Sequence, residues 1–217
     1  SIYAVGFQAG PTLHSDLRST YRGFNGLGDD VFNKDNQLGE GNTGFVVKYG
    51  SDLKAEWIRN TNEGVSAVEV TDDNSIYYGG QITPGHNGAY LSKLNQEGTV
   101  EWKTTFSDNS ENSIQAISFD SINNSVYVAG TTGQADTTYL KKFNTSGEII
   151  WTNTVNATQT NPIWWSRDIQ LDSEGNVYLS SGDWGSNYLI NKYDKEGNLI
   201  WNRNDINSNE IYLSKNN

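Results

Sequence analysis

The sequence predicts an all-β fold, a β-propeller of four four-stranded blades, and three observations carry the prediction. A tryptophan follows a lysine by nine residues four times, at Lys48 and Trp57, Lys93 and Trp102, Lys142 and Trp151, and Lys192 and Trp201. Those tryptophans lie 45, 49 and 50 residues apart, which is the period of a unit with four short strands. Between them run short alternating apolar segments bounded by turn residues, and no stretch keeps a helical period.

The strands of one blade are lettered A to D from the axis outward. The B strand carries tyrosine: Ile2-Tyr3-Ala4-Val5-Gly6, Ile76-Tyr77-Tyr78-Gly79-Gly80, Val126-Tyr127-Val128-Ala129-Gly130 and Val177-Tyr178-Leu179-Ser180-Ser181. The C strand carries the lysine, as in Phe45–Tyr49, Tyr90–Leu94, Tyr139–Phe143 and Leu189–Tyr193. A turn such as Asn144-Thr145-Ser146-Gly147 or Asp194-Lys195-Glu196-Gly197 leads to the tryptophan strand D, its glycine supplying positive φ. The first copy has Leu53 there, so its turn is built differently. Strand A precedes three of the tyrosine strands, at 67–70, 116–119 and 168–171. The chain therefore enters on B-C-D and continues through three full sets. Spacing from Trp201 assigns the final run, Ile211-Tyr212-Leu213-Ser214, as the missing A strand, which closes a four-bladed ring and leaves no unpaired blade. Residues 1–217 read as a single propeller domain with a loop insertion at 8–44, between B and C of the first blade.

Val126-Tyr127-Val128-Ala129-Gly130, Tyr139-Leu140-Lys141-Lys142-Phe143 and Gly147-Glu148-Ile149-Ile150-Trp151 together resemble the bacterial β-propeller repeat family abbreviated SBBP. The likeness covers nearly the whole chain apart from residues 8–44. It implies the propeller fold, and membership in exported or surface proteins without assigned chemistry. It also implies an alternative to the closed ring, in which these are four blades of a larger propeller whose open edges pair with another chain.

Fifteen basic against 26 acidic residues give a net charge of −11, the opposite of a nucleic-acid footprint. No apolar run is long enough for membrane insertion, and no signal peptide is visible. The absence of cysteine excludes disulfides, thiolate catalysis and Cys-ligated zinc. Abundant Asn, Ser, Thr and Gly with an acidic balance lean towards an extracellular or cell-surface location.

The A–B and C–D turns are short and regular, so function is expected on the opposite face, where the B–C and D–A connections emerge. The insertion there carries His14, Arg18 and Tyr21; later connections carry His86, Trp184 with Asp183, and the pair Trp164 and Trp165. Aromatics with Asp, Arg and His suit a glycan or a surface protein partner, which gives a non-enzymatic binding or adhesion module as the leading expectation. The alternatives are a structural spacer within a larger surface protein, or an enzyme acting on polysaccharide with carboxylates such as Asp16, Asp29, Asp30 and Asp183. Trp164 or Trp165 equally suits packing between blades, and the insertion equally suits a plug. The repeated tryptophans read as inter-blade packing, and the repeated lysines as paired or snorkelling side chains. No catalytic motif, metal-ligand spacing or cofactor fingerprint is present. Asp172-Ser173-Glu174-Gly175-Asn176 faintly suggests a calcium loop, but turn chemistry explains it better.

Overall fold

The computed structural model describes residues 2–8, 43–82, 88–107, 111–132, 137–156, 165–183, 188–204 and 211–213. They form four antiparallel sheets. The first holds β1 (Ile2–Gln8), β2 (Thr43–Tyr49) and β3 (Ala55–Thr61). The second holds β4 (Gly64–Val70), β5 (Ile76–Gln81), β6 (Ala89–Leu94) and β7 (Val100–Phe106). The third holds β8 (Glu111–Asp120), β9 (Ser125–Thr132), β10 (Thr137–Asn144) and β11 (Ile149–Asn156). The fourth holds β12 (Trp165–Leu171), β13 (Val177–Gly182), β14 (Tyr188–Tyr193) and β15 (Leu199–Arg203). Each sheet is a meander in chain order. Gln8, Thr43 and Gly44 belong to strands, so the segment between β1 and β2 spans 9–42.

The repeated letters form one ladder per sheet. Tyrosine, lysine and tryptophan stand opposite one another on three adjacent strands: Tyr3, Lys48 and Trp57; Tyr77, Lys93 and Trp102; Tyr127, Lys142 and Trp151; Tyr178, Lys192 and Trp201. Their side chains share a face because strand side chains alternate. Tyrosine and tryptophan rings lie 6.1, 6.0, 5.8 and 5.9 Å apart in the four sheets. Three of the ammonium groups sit over the tyrosine ring, at 5.8, 5.1 and 4.8 Å for Lys93, Lys142 and Lys192. Glu56 pairs with Lys48 and Glu101 with Lys93, each at 2.8 Å. Burial beneath this layer pushes the Tyr77 hydroxyl up to about 12.

The tryptophan then holds the next sheet. Its indole Nε1 donates to a carbonyl in the following C–D turn: Trp57 to Gln96 at 3.1 Å, Trp102 to Thr145 at 2.9 Å, Trp151 to Lys195 at 3.2 Å. Two residues on, a second side chain donates to the glycine carbonyl of that turn, as Arg59 does to Gly98, Thr104 to Gly147 and Asn153 to Gly197. The ring lies flat against that glycine, where φ is +79°, +86° or +92°. A Cβ at Gly147 would stand 2.8 Å from the Trp102 ring. Glycine is required twice over, by the dihedral and by the contact. Between clamp and inner edge lie the cores: Tyr77, Leu91 and Phe106 of the second sheet pack against Ile114, Val128 and Phe143 of the third. Tyr127, Leu140 and Val155 repeat the arrangement against Ile169, Val177 and Leu179 of the fourth.

The expected closed ring is not formed. The sheets pack in series, first on second, second on third, third on fourth, and do not curl into a closed propeller. Ile211–Leu213, expected to pair beside β1 as an A strand, is in no strand, and the first sheet has three strands. The backbone N of Ile211 instead donates to Oδ2 of Asp168 on β12, at 3.0 Å. A second reason is local: closure by the repeated clamp would set Trp201 on the first C–D turn, where Leu53 replaces glycine at φ 61° and its side chain is exposed. Trp201 is 37 % exposed, the repeat's one exposed clamp ring among the described residues.

Two substitutions separate dihedral from contact. Gly147→Ala combines left-handed strain with a clash on Trp102, and is expected to lower unfolding free energy by about 2–3 kcal/mol in urea titrations. Leu53→Gly relieves the same dihedral with no ring above it, and is expected to raise that free energy by up to about 1 kcal/mol.

Candidate functional site

The inner strands β4, β8 and β12 break register at one equivalent place, between Val65 and Ala67, Ile114 and Ala116, and Ser166 and Asp168, and β8 shifts a second time between Glu111 and Ser113. A β-bulge re-aims the extra side chain. In the second and third sheets it is aimed at the next blade. Ser66 Oγ donates to the carbonyl of Ile114, and Gln115 Oε1 accepts from the backbone N of Ser166 at 2.9 Å. The equivalent residue of the fourth sheet is Arg167, which makes a different contact.

Arg167 Nη2 donates to the backbone carbonyl of Asp183 at 3.0 Å, and the guanidinium carbon lies 5.3 Å from the centroid of the Trp165 indole. Its Nε is buried with no hydrogen-bond partner. Trp165 opens β12 opposite Gly182, the last residue of β13, and Asp183 follows directly. The three residues thus form a corner at the end of the sheet from which the B–C and D–A connections leave. The sheet itself departs from the repeat here. Tyr90 and Tyr139 reach across Gly80 and Gly130 to donate to the carbonyls of Gly64 and Ser113, at 3.1 and 2.8 Å. The fourth sheet has Leu189 and Ser181 at those two positions, and the Ser181 hydroxyl is buried without a partner.

Of the residues expected to form a site, Trp165 and Asp183 are described, and the structure brings them together. His14, Arg18, Tyr21, His86, Trp164 and Trp184 lie outside the described residues, as do Asp16, Asp29 and Asp30. Arg167 was missed. Its signal is present in the aligned inner strands, where Ser66 and Gln115 give way to arginine and Ala67 and Ala116 give way to Asp168. Asp183 contributes its carbonyl through Arg167, which fixes the corner's geometry.

The carboxylate of the suspected calcium loop is committed to its turn. Asp172 Oδ1 accepts from the backbone N of Glu174 and Asn176 at 3.1 and 2.9 Å, and Lys192 pairs with Oδ2 at 3.2 Å, so this suspected calcium loop is a capped turn. Among the described residues no group of three His, Cys, Asp or Glu is placed to hold a metal. On the inner strand β4, burial pushes the Glu69 carboxyl above its usual range, although Oε1 accepts from the backbone N of Phe119 at 3.3 Å.

No protein-family model matches the chain, and no curated protein matches it in sequence. Solved structures do match. A putative 6-phosphogluconolactonase from Bacteroides uniformis superposes with a TM-score of 0.55 at 13 % identity, over 80 % of this chain and 55 % of that one. A protein of unknown function from Bacteroides caccae gives 0.51 at 14 % identity, over 73 % and 53 %. A gluconolactonase from Xanthomonas campestris gives 0.47 at 13 % identity, over 71 % and 53 %. The chain spans about half the length of the structures it matches. At these identities the likeness is one of fold, a distant similarity to β-propeller-like enzyme folds and not to the SBBP family specifically.

That similarity overturns the expectation of a non-enzymatic adhesion module. The expectation rested on aromatics in the long connections and on absent catalytic motifs, and the putative 6-phosphogluconolactonase shares this fold. Among the described residues no helix is long and apolar enough to cross a membrane.

The Glu69 shift has a testable sign. A carboxyl whose folded pKa exceeds its ordinary value of 4.5 binds more protons in the folded state, so it costs stability as pH rises through the shifted range. Glu69→Gln keeps the acceptor oxygen and is expected to raise unfolding free energy at pH 7. That gain should shrink to nothing below about pH 4.5 in denaturation series run across pH.

Proposed function

We propose that this chain is part of a β-propeller enzyme acting on a carbohydrate-derived substrate, engaged at the corner of Trp165, Arg167 and Asp183. The observation that carries the reading is Arg167, a bulge residue released from inter-blade duty and laid on an indole at the loop end of the innermost strand. A guanidinium stacked on an aromatic ring is an oriented donor platform, and indole edges and faces are what sugar rings pack on. The fold shared with the putative 6-phosphogluconolactonase supports a sugar-derived substrate over other classes. His86, His14, Arg18, Tyr21, Trp164 and Trp184 belong to connections on the same side and are proposed to complete the site. The repeat letters support an SBBP-type propeller, and the composition supports an extracellular or cell-surface location with a glycan as the partner molecule.

A panel of sugar lactones and polysaccharides, assayed for turnover with the purified protein, tests this. Arg167→Ala and Trp165→Ala are each expected to lower kcat/KM by about tenfold or more, the loss of one charge-assisted contact, with the melting temperature held within a few degrees. Turnover of no panel member, or turnover indifferent to both substitutions, rejects the reading.

A further inference from the structure

In a stack of blades the forward face of each sheet is covered by the sheet that follows. At one inner-strand position the second and third sheets carry Ala67 and Ala116, opposite Gly79 and Ala129, and both alanines are buried in the core shared with the next sheet. The fourth sheet carries Asp168 there, opposite Ser180, and no further sheet follows it among the described residues. A carboxylate at a dry inter-sheet position would be costly without a partner. Asp168 has two. Oδ2 accepts from the backbone N of Ile211 at 3.0 Å, and Gln170 Nε2 lies 3.3 Å from both carboxylate oxygens.

The segment that reaches Asp168 has the pattern of a strip lying on a surface. Ile211 and Leu213 are half-buried, and Tyr212 between them is 83 % exposed. Ser180 and Ile190 share the forward face with Asp168, since each stands opposite the next across the sheet. They are 1 % and 7 % exposed, as buried as residues on faces that a full sheet covers. Trp201, farther out on the same face, is left exposed.

We infer that Ile211–Leu213 is a detachable strap that seals the inner half of the fourth sheet's forward face, with Asp168 as its key. The alanine-to-aspartate change converts a sheet-packing position into an acceptor for one backbone N–H. A charge-assisted hydrogen bond to Asp168 and the half-buried Ile211 and Leu213 tie down a segment of three residues, where a full core joins each of the other sheets, so it opens before they do. Asp168 also follows Arg167 directly within the bulge, so strap and corner sit on one short piece of backbone.

Hydrogen–deuterium exchange on the whole chain tests the strap independently of any activity. Asp168→Ala, which restores the residue of the sister sheets, is expected to speed exchange of the segment spanning 205–217 by about tenfold while β8 to β11 keep their protection. Asp168→Asn keeps an acceptor oxygen and should fall between the two. A chain ending at Asn204 should bind a hydrophobic dye several-fold more strongly, because Ile190 is uncovered. Unchanged exchange of the tail in Asp168→Ala, exchange that rises equally in all sheets, or unchanged dye binding overturns the inference.

Discussion

A tryptophan ring resting on a glycine of the next sheet is the constraint from which the rest follows. The indole needs a flat backbone surface and a carbonyl pointing at Nε1, and the C–D turn provides both only with a left-handed residue that lacks Cβ. That fixes glycine at 98, 147 and 197 and fixes the spacing between successive sheets. The Tyr-Lys-Trp ladder then makes the ring a rigid anchor: the tyrosine backs the indole, and the lysine covers the tyrosine. With the outer edge held, the inner strands meet closely enough for bulge residues to bond across sheets. Clamp outside, bulge inside and apolar core between repeat with the chain's period of roughly 45–50 residues.

The same constraint explains why the sheets stop short of a ring. Leu53 occupies the left-handed position of the first turn, and an exposed side chain stands where an incoming indole would have to lie. A left-handed leucine costs about 1–2 kcal/mol more than glycine, so the turn tolerates it for lack of a ring above. The front of the array is therefore not equivalent to its three internal interfaces. Trp201 and Arg203 at the back are the counterparts of Trp57 and Arg59. Like residues recur, but the surface they would grip does not.

Much of this was legible in the sequence because repetition averages away local ambiguity. Four Lys-to-Trp spacings, four tyrosine runs and three alternating inner strands place fifteen strands without any one of them being decisive. The single-copy features were where reading failed. Ile211-Tyr212-Leu213 has strand letters and fitting distance from Trp201, yet a strand also needs an edge to pair with, and Asp168 claims the backbone instead. Arg167 was missed in the sequence altogether. Its meaning depends on a bulge register that puts it in line with Ser66 and Gln115, and register is a property of pairing between strands. The expected gathering of His14, His86 and Trp184 falls on connections outside the described residues.

Departures from a repeat carry more information than the repeat itself. Once the clamp, ladder and bulge are satisfied in three sheets, a residue that breaks the pattern in the fourth has lost its scaffold role. In β12 two adjacent positions break it in opposite senses: Arg167 replaces neutral bulge residues with a cation turned to the loop end, and Asp168 replaces a packed methyl with an acceptor for the tail. A bulge has little slack, since two residues face one and the local twist is already increased. Any shift of Asp168 that follows the tail must therefore move the backbone that aims Arg167. Strap and corner are then two readings of one backbone irregularity, and both fall on β12 of the fourth sheet.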